Sequence, residues 1–333
     1  MKKIALVLSI VVGLVSLAGC QIVSDDKNYP ETVTITQSVT KATSRDDENA
    51  SKQTVTEVIP TNPKNVVVFD FGVLDIIDHI GLETLGIENL AIVKSNVPAY
   101  LSSYNNDDVT NAGTLFEPNF DNLDLFSPDL VIISSRSAWA YDSIKSELGG
   151  VAVLSVTMDN ANYIESFKTN MTNLQLIFGD LDIFDDMVLT VETEIASVKT
   201  AATTSGVSTL ILMTNGDDIS GYGIGSRFGI IHNEFGFVAA DENFGNGDAN
   251  THGDTVSFEY VQTLNPEVIF VVDRSAAIGG EPSIGVLDNA LVDATDAAKQ
   301  DRIIALDSVA WYIVSGGYQS TLTMIEDVSV IFS

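Results

Sequence analysis

Asn119-Phe-Asp-Asn-Leu-Asp-Leu-Phe-Ser-Pro-Asp-Leu-Val-Ile-Ile133 decides the fold, because a second stretch can be written beneath it without a gap. That stretch is Ser257-Phe-Glu-Tyr-Val-Gln-Thr-Leu-Asn-Pro-Glu-Val-Ile-Phe-Val271. In each, a helical stretch meets a proline–acid pair and then a short, unbroken apolar run rich in β-branched residues. Such a run suits a strand buried on both faces. Asp121 aligns with Glu259, Pro128 with Pro266 and Arg136 with Arg274, every pair 138 residues apart. The repeat reads as two related lobes. Each has a helix, a turn, a strand, and an arginine at the strand's carboxyl end.

Further strands follow outward from this pair: Val66–Phe69, Ala152–Leu154, Leu210–Leu212 and Ile303–Leu306, with helical periods between them. Alternating strands and helices predict an α/β fold with mainly parallel sheets. The first lobe spans 61–178 and the second 208–333. Between them Tyr163, Phe167, Met171, Leu174 and Ile177 form one apolar stripe; Met187, Val188, Val191, Ile195 and Val198 form another. The second stripe, over 180–203, is either one rigid helix crossing between lobes or a surface helix of the second lobe.

The N-terminus carries an export signal. Lys2 and Lys3 precede 15 largely apolar residues, Ile4 to Ala18, ending at Leu17-Ala18-Gly19-Cys20. That run is shorter than the roughly 20 residues a spanning helix needs, and small residues stand at the cut. Residues 1–19 are therefore a lipoprotein signal peptide, and Cys20 is the expected lipidation site. It is the only cysteine, so no disulfide framework exists. Residues 20–60 turn polar and read as a lipid-anchored tether. Its Thr/Val alternations at 32–36 and 54–58 could pair as a hairpin.

Charge excludes one large class of partner. The chain has 16 basic and 46 acidic residues, a formal net charge of −30, and a nucleic-acid binder needs clustered cations. From Thr61 onward four arginines stand among 39 acids: Arg136, Arg227, Arg274 and Arg302. Arg136 and Arg274 end equivalent strands, where open α/β sheets hold ligands. Arg227 lies in the glycine-rich Gly221-Tyr-Gly-Ile-Gly-Ser-Arg-Phe-Gly229. Together the three predict a shared cationic cleft for an oxygen-rich anion. Arg302 reads as surface.

No nucleophile elbow, zinc-protease helix or Walker loop is present. His79 and His232 sit in helical stretches and read as structural. His252, in Thr251-His-Gly-Asp254, lies in a polar loop. Trp311-Tyr312 either walls a pocket or seals the core.

Several segments together resemble the substrate-binding lipoproteins of bacterial ABC importers for ferric siderophores, the catecholate class in particular. They are Pro63–Gly72, Phe116-Glu-Pro-Asn119, Gly225-Ser-Arg-Phe-Gly229, Thr251-His-Gly-Asp254, Val272-Asp-Arg274 and Trp311-Tyr312. The resemblance implies two Rossmann-like lobes joined by one long helix, with the ligand in the cleft between them. It implies that Arg136, Arg227 and Arg274 surround an anionic Fe(III)-siderophore, with Trp311, Tyr312 and His252 also ligand-binding. His252 and Tyr312 match positions that complete the iron's coordination. Asp121 and Glu259 match the acids through which such proteins dock on the permease subunits, although Asp121 is shorter than the usual Glu.

The expected function is a binder rather than an enzyme, extracytoplasmic and held to the lipid bilayer through Cys20. No covalent cofactor besides that lipid is expected. A cobalamin or haem carrier on the same scaffold, a zinc or manganese carrier and an extracytoplasmic hydrolase are the rival readings.

Overall fold

The computed structural model describes residues 29–244 and 253–332. Its first two strands, β1 (Thr32–Lys41) and β2 (Ser51–Pro60), pair antiparallel along their whole length. The alternation of Thr with Val and Ile puts Ile35, Val39 and Ile59 on one buried face. Two polar side chains on that face, Gln37 and Glu57, are buried as well. The Gln37 carboxamide donates to the Val153 carbonyl at 2.7 Å and accepts from the Ser155 amide at 2.8 Å. It thereby satisfies a sheet edge as a further strand would. Glu57 accepts from the Tyr141 hydroxyl at 2.8 Å and pairs with Lys145.

This corrects the reading of residues 20–60 as tether. From Tyr29 onward the chain belongs to the folded body. Even Tyr29 is fixed, its hydroxyl accepting from the Asp180 amide at 3.1 Å. The signal segment and Cys20 lie outside the described residues, as does His252.

The first sheet contains β3 (Asn65–Val68), β4 (Asn89–Val93), β5 (Thr110–Gly113), β6 (Leu130–Ile133) and β7 (Ala152–Ser155). All are parallel, in the order β5-β4-β3-β6-β7. The second contains β8 (Ser208–Asn215), β9 (Asp218–Tyr222), β10 (Val238–Ala239), β11 (Asp254–Thr255), β12 (Val268–Asp273) and β13 (Ile303–Ala305). Its order is β11-β9-β8-β12-β13, with β10 also on β8; β9 and β11 are antiparallel to their neighbours. The residues of β12 alternate between two buried faces: Val268, Phe270 and Val272 join the main core, Ile269 and Val271 a smaller one. Burial on both sides is why its sequence is continuously apolar.

Eight helices matter here: α1 (Phe71–Ile80), α2 (Phe120–Phe126), α3 (Tyr141–Glu147), α4 (Tyr163–Phe178), α5 (Asp182–Ser205), α6 (Phe258–Leu264), α7 (Ser308–Tyr312) and α8 (Tyr318–Ser329). The repeat extends to the caps of α2 and α6. Asn119 and Ser257 accept from the third amide beyond them, and Ser127 and Asn265 close the helices in the left-handed region, at φ 51° and 46°. Prolines at 128 and 266 then stop any continuation.

The 24-residue α5 buries Phe184, Met187, Val191, Ile195, Val198 and Ala202 against α4 and α8. The last helix, α8, also packs on α1 in the first half. Asp75 of α1, 1% exposed, accepts from the Gln319 and Ser320 amides at 2.8 Å each, capping α8 from the other half of the chain. Gly72 makes this approach possible, because a Cβ there would lie 2.9 Å from the Gly317 nitrogen. The expected boundary of a separate lobe at 208–333 thus includes a helix shared by both halves.

Candidate functional site: an arginine cluster around Tyr312

Three chain segments deliver the site. Arg136 follows β6, and Arg274 follows β12, opening a short helix whose N-cap is Asp273. Arg227 arrives differently from the expected end of a parallel strand. Its strand, β9, runs back antiparallel to β8, and the turn Gly223–Gly229 then carries the arginine to the cleft. Gly229 has to be small there, since a Cβ would stand 2.8 Å from the Gly225 nitrogen.

Tyr312 is where they meet. It ends α7, so its carbonyl is one of the terminal acceptors that a helix leaves without an internal partner. That oxygen accepts from Arg136 Nη2 at 2.5 Å and from Arg227 Nη2 at 2.7 Å. The Tyr312 hydroxyl accepts from Arg274 Nε at 2.9 Å. Arg227 lies over the ring at 4.1 Å from its centroid, and Arg136 and Arg274 each stand at 5.7 Å. Guanidinium groups favour aromatic faces, so one tyrosine organises three like charges by its carbonyl, its hydroxyl and its ring.

The titration behaviour follows from this crowding. Burial, with the Arg136 charge added, pulls Arg227 down to about 10. Burial also lowers Arg136, opposed by Asp70 and Tyr312. Burial would push the Tyr312 phenol up, but the Arg274 hydrogen bond and the three cationic charges outweigh it and hold the phenol below the ordinary tyrosine value. The lowered Arg227 value includes repulsion from the Arg136 charge in addition to burial. An arriving anion relieves that repulsion.

Trp311 is not a cleft residue, contrary to expectation. It is 1% exposed, packs edge-on to Phe228 and Phe235, and donates to Asp327 at 2.9 Å. His79 is exposed beside the Tyr318 ring, and His232 is bound to the Phe237 carbonyl at 3.0 Å. Gly253, next in sequence to His252, packs against the Tyr222 ring. Asp121 and Glu259 are exposed in the first turns of α2 and α6. Each of these helices turns sharply into the strand it feeds, so each first turn faces the end of the sheet that carries Arg136 or Arg274.

Two residues contribute that the sequence did not single out. Asn215, at the end of β8, accepts from Arg274 Nη1 at 2.8 Å. Asp70, the N-cap of α1, places a buried carboxyl in the field of Arg136. The segment Pro63–Gly72 contained Asp70 without revealing that role. Among the described residues no group of three or more His, Cys, Asp or Glu could hold a metal ion.

Two α/β halves that meet at an arginine cluster fit a solute-binding protein that works outside the cytoplasm, a transport component rather than an enzyme. The chain belongs to the periplasmic binding protein family, which it matches over residues 66–310. It is 36% identical over 333 residues to the petrobactin-binding protein YclQ of Bacillus subtilis, covering 98% of each chain. The crystal structure of YclQ superposes with a TM-score of 0.77 over 90% of this chain and 98% of that one. The catecholate-siderophore binding protein VctP of Vibrio cholerae is 29% identical, with a TM-score of 0.76 over 88% of this chain and 100% of its own. The ferric-anguibactin-binding protein FatB of Vibrio anguillarum is 27% identical over 276 residues, 81% of this chain and 83% of FatB.

Proposed function

We propose that this protein captures an anionic ferric siderophore, of the catecholate type, outside the cytoplasm and delivers it to an ABC permease for iron uptake. One observation carries the reading: in a chain of net charge −30, three arginines from separate segments converge on Tyr312. A ferric tris-catecholate of net charge about 3− would balance them in a site of low effective dielectric. The relatives named for petrobactin, anguibactin and a catecholate siderophore support the ligand class.

In this reading Arg136, Arg227 and Arg274 hold the complex, and Tyr312 and His252 supply donors when the siderophore leaves iron sites open. Asp121 and Glu259, on the cleft-facing ends of equivalent helices, dock on the two permease subunits. Acylation of Cys20 anchors the chain to the membrane, and Cys20→Ser should release it into the medium or periplasm.

Titration with ferric tris-catecholate, cobalamin, haem and bare divalent metals, followed by Trp and Tyr fluorescence, tests the ligand class. Only the first should bind tightly, and replacing all three arginines by Ala should weaken it at least about 1,000-fold. Tight cobalamin or haem binding, or affinity untouched by the triple replacement, would refute the reading.

A further inference from the structure

The hydrogen-bond acceptors of the three arginines have a common property. Among the described residues every one is uncharged: the Tyr312 and Ile313 carbonyls, the Tyr312 hydroxyl and the Asn215 amide oxygen. Most lysines differ, although Lys94 also holds a neutral acceptor, the Asn106 carbonyl. Lys41, Lys64, Lys145, Lys168 and Lys299 each pair with a carboxylate. Asp70 acts on Arg136 through its field without joining the described ion pairs.

Asn215 is the one side-chain amide in this set, and its place gives the choice meaning. It closes β8 just before Gly216-Asp217-Asp218, with Gly216 at φ 61° in a two-residue turn. Aspartates follow at 217 and 218, yet the position that touches Arg274 carries the amide. An amide oxygen aims a guanidinium as a carboxylate does, but it adds no charge. A carboxylate there would form a fork with Arg274 and cancel most of its field at the ligand.

We propose that Asn215 is a positioning residue for anion capture: its amide oxygen orients the Arg274 guanidinium across the cleft while leaving the positive charge available to a multiply anionic iron complex. The inference rests on the proposed siderophore function and identifies what tunes that site to highly charged ligands.

The test compares Asn215→Asp, Asn215→Ala and Asn215→Ser with wild type and Arg274→Ala. The probe is a hexadentate iron(III) tris-catecholate of net charge about 3−, with thermal melting as the check on folding. Asn215→Ser, a neutral acceptor, should bind within about two-fold of wild type, whereas Asn215→Ala, which leaves the guanidinium unaimed, should lose about five-fold. Asn215→Asp should lose about ten-fold or more, approaching Arg274→Ala, and the loss should shrink as salt is raised.

A purely structural role predicts the reverse order, since the isosteric carboxylate keeps the hydrogen bond that Ala deletes. Binding by Asn215→Asp equal to or tighter than that of Asn215→Ala, with Arg274→Ala impaired, overturns the inference alone. A loss in Asn215→Ser as large as that in Asn215→Asp also overturns it, and does so even if the Asp variant fails to fold. Wild-type protein that does not bind the probe overturns the function it rests on.

Discussion

The two halves of the repeat have the same helix, caps, proline and strand, and each places an arginine at a strand end, yet the two arginines are held differently. Arg136 reaches across to the other half, donating to the carbonyls of Tyr312 and Ile313. Arg274 stays at home, bonded to Asn215 and the Tyr312 hydroxyl. The difference shows that the repeat fixes where an arginine stands, while unrepeated neighbours fix what it does. In the proposed function Arg136 is both ligand contact and tie between the halves. In the same reading Arg274, bonded only within its own half, is a ligand contact alone.

Single replacements should separate the two roles. Arg136→Ala and Arg274→Ala should each weaken ferric-catecholate binding about 10- to 100-fold, as loss of a charge-assisted contact implies. Only Arg136→Ala should also lower folding stability, by about 1–2 kcal/mol, because a hydrogen bond between the halves goes with it. Equal stability of the two variants in urea unfolding would break the comparison.

A smaller effect is expected at the two acids proposed to dock, where the halves look most alike. Asp121 and Glu259 occupy the same position in equivalent helices. Asp121→Ala and Glu259→Ala should leave ligand affinity within about two-fold, since neither lies with the arginines, but each should reduce permease-dependent uptake several-fold. The shorter Asp121 gives a direct way to sharpen this. Asp121→Glu should transport at least as well as wild type, whereas Glu259→Asp should not.

The fold was legible where burial leaves a simple pattern. The runs at 66–69, 130–133, 152–154, 210–212, 268–272 and 303–306 all fall on strands, and the 138-residue repeat survives down to its left-handed caps. Strands β4, β5, β9, β10 and β11 are not among those runs. β4 carries the apolar run Leu90-Ala-Ile-Val93 between Gly86 and Pro98 and could have been read, whereas β5, β10 and β11 are too short or too polar to show a pattern. β9 followed an Asn-Gly turn at 215–216 that signals a hairpin and could have been read. The hairpin 32–60 is legible as a pair of alternating strands, but its polar composition hides that Gln37 and Glu57 are buried. Only the partners Val153, Ser155, Tyr141 and Lys145, about a hundred residues away, account for their burial.

At the site, the three arginines were legible because cations are scarce. The centre on which they converge was not, because two of the contacts use the Tyr312 carbonyl, a group every residue possesses. Trp311 beside Tyr312 reads equally as pocket wall or core seal, and its burial puts it in the core, since successive helical residues face different directions.

Tyr312 offers the finest test, since Arg136 and Arg274 use different atoms of it. Tyr312→Phe deletes the hydroxyl that Arg274 holds and leaves the carbonyl and ring that serve Arg136 and Arg227. For a hexadentate complex, whose iron needs no protein donor, affinity should fall by no more than about ten-fold, the worth of one hydrogen bond to a charged group. A larger fall with a tetradentate complex would support direct ligation by the phenol. The same variant checks the electrostatics. Tyr100, Tyr104, Tyr141, Tyr163, Tyr222 and Tyr260 are all pushed up by burial, whereas Tyr312 is held down. As pH rises toward 10, absorbance near 295 nm should therefore show Tyr312 ionising ahead of those six, and Tyr312→Phe should remove that step. The sign for stability follows: the folded state releases this proton first, so the phenolate's contribution is fully present above the ordinary tyrosine value. It is lost as pH falls through the lowered one. A titration curve left unchanged by Tyr312→Phe would mean that the arginines do not act on this ring.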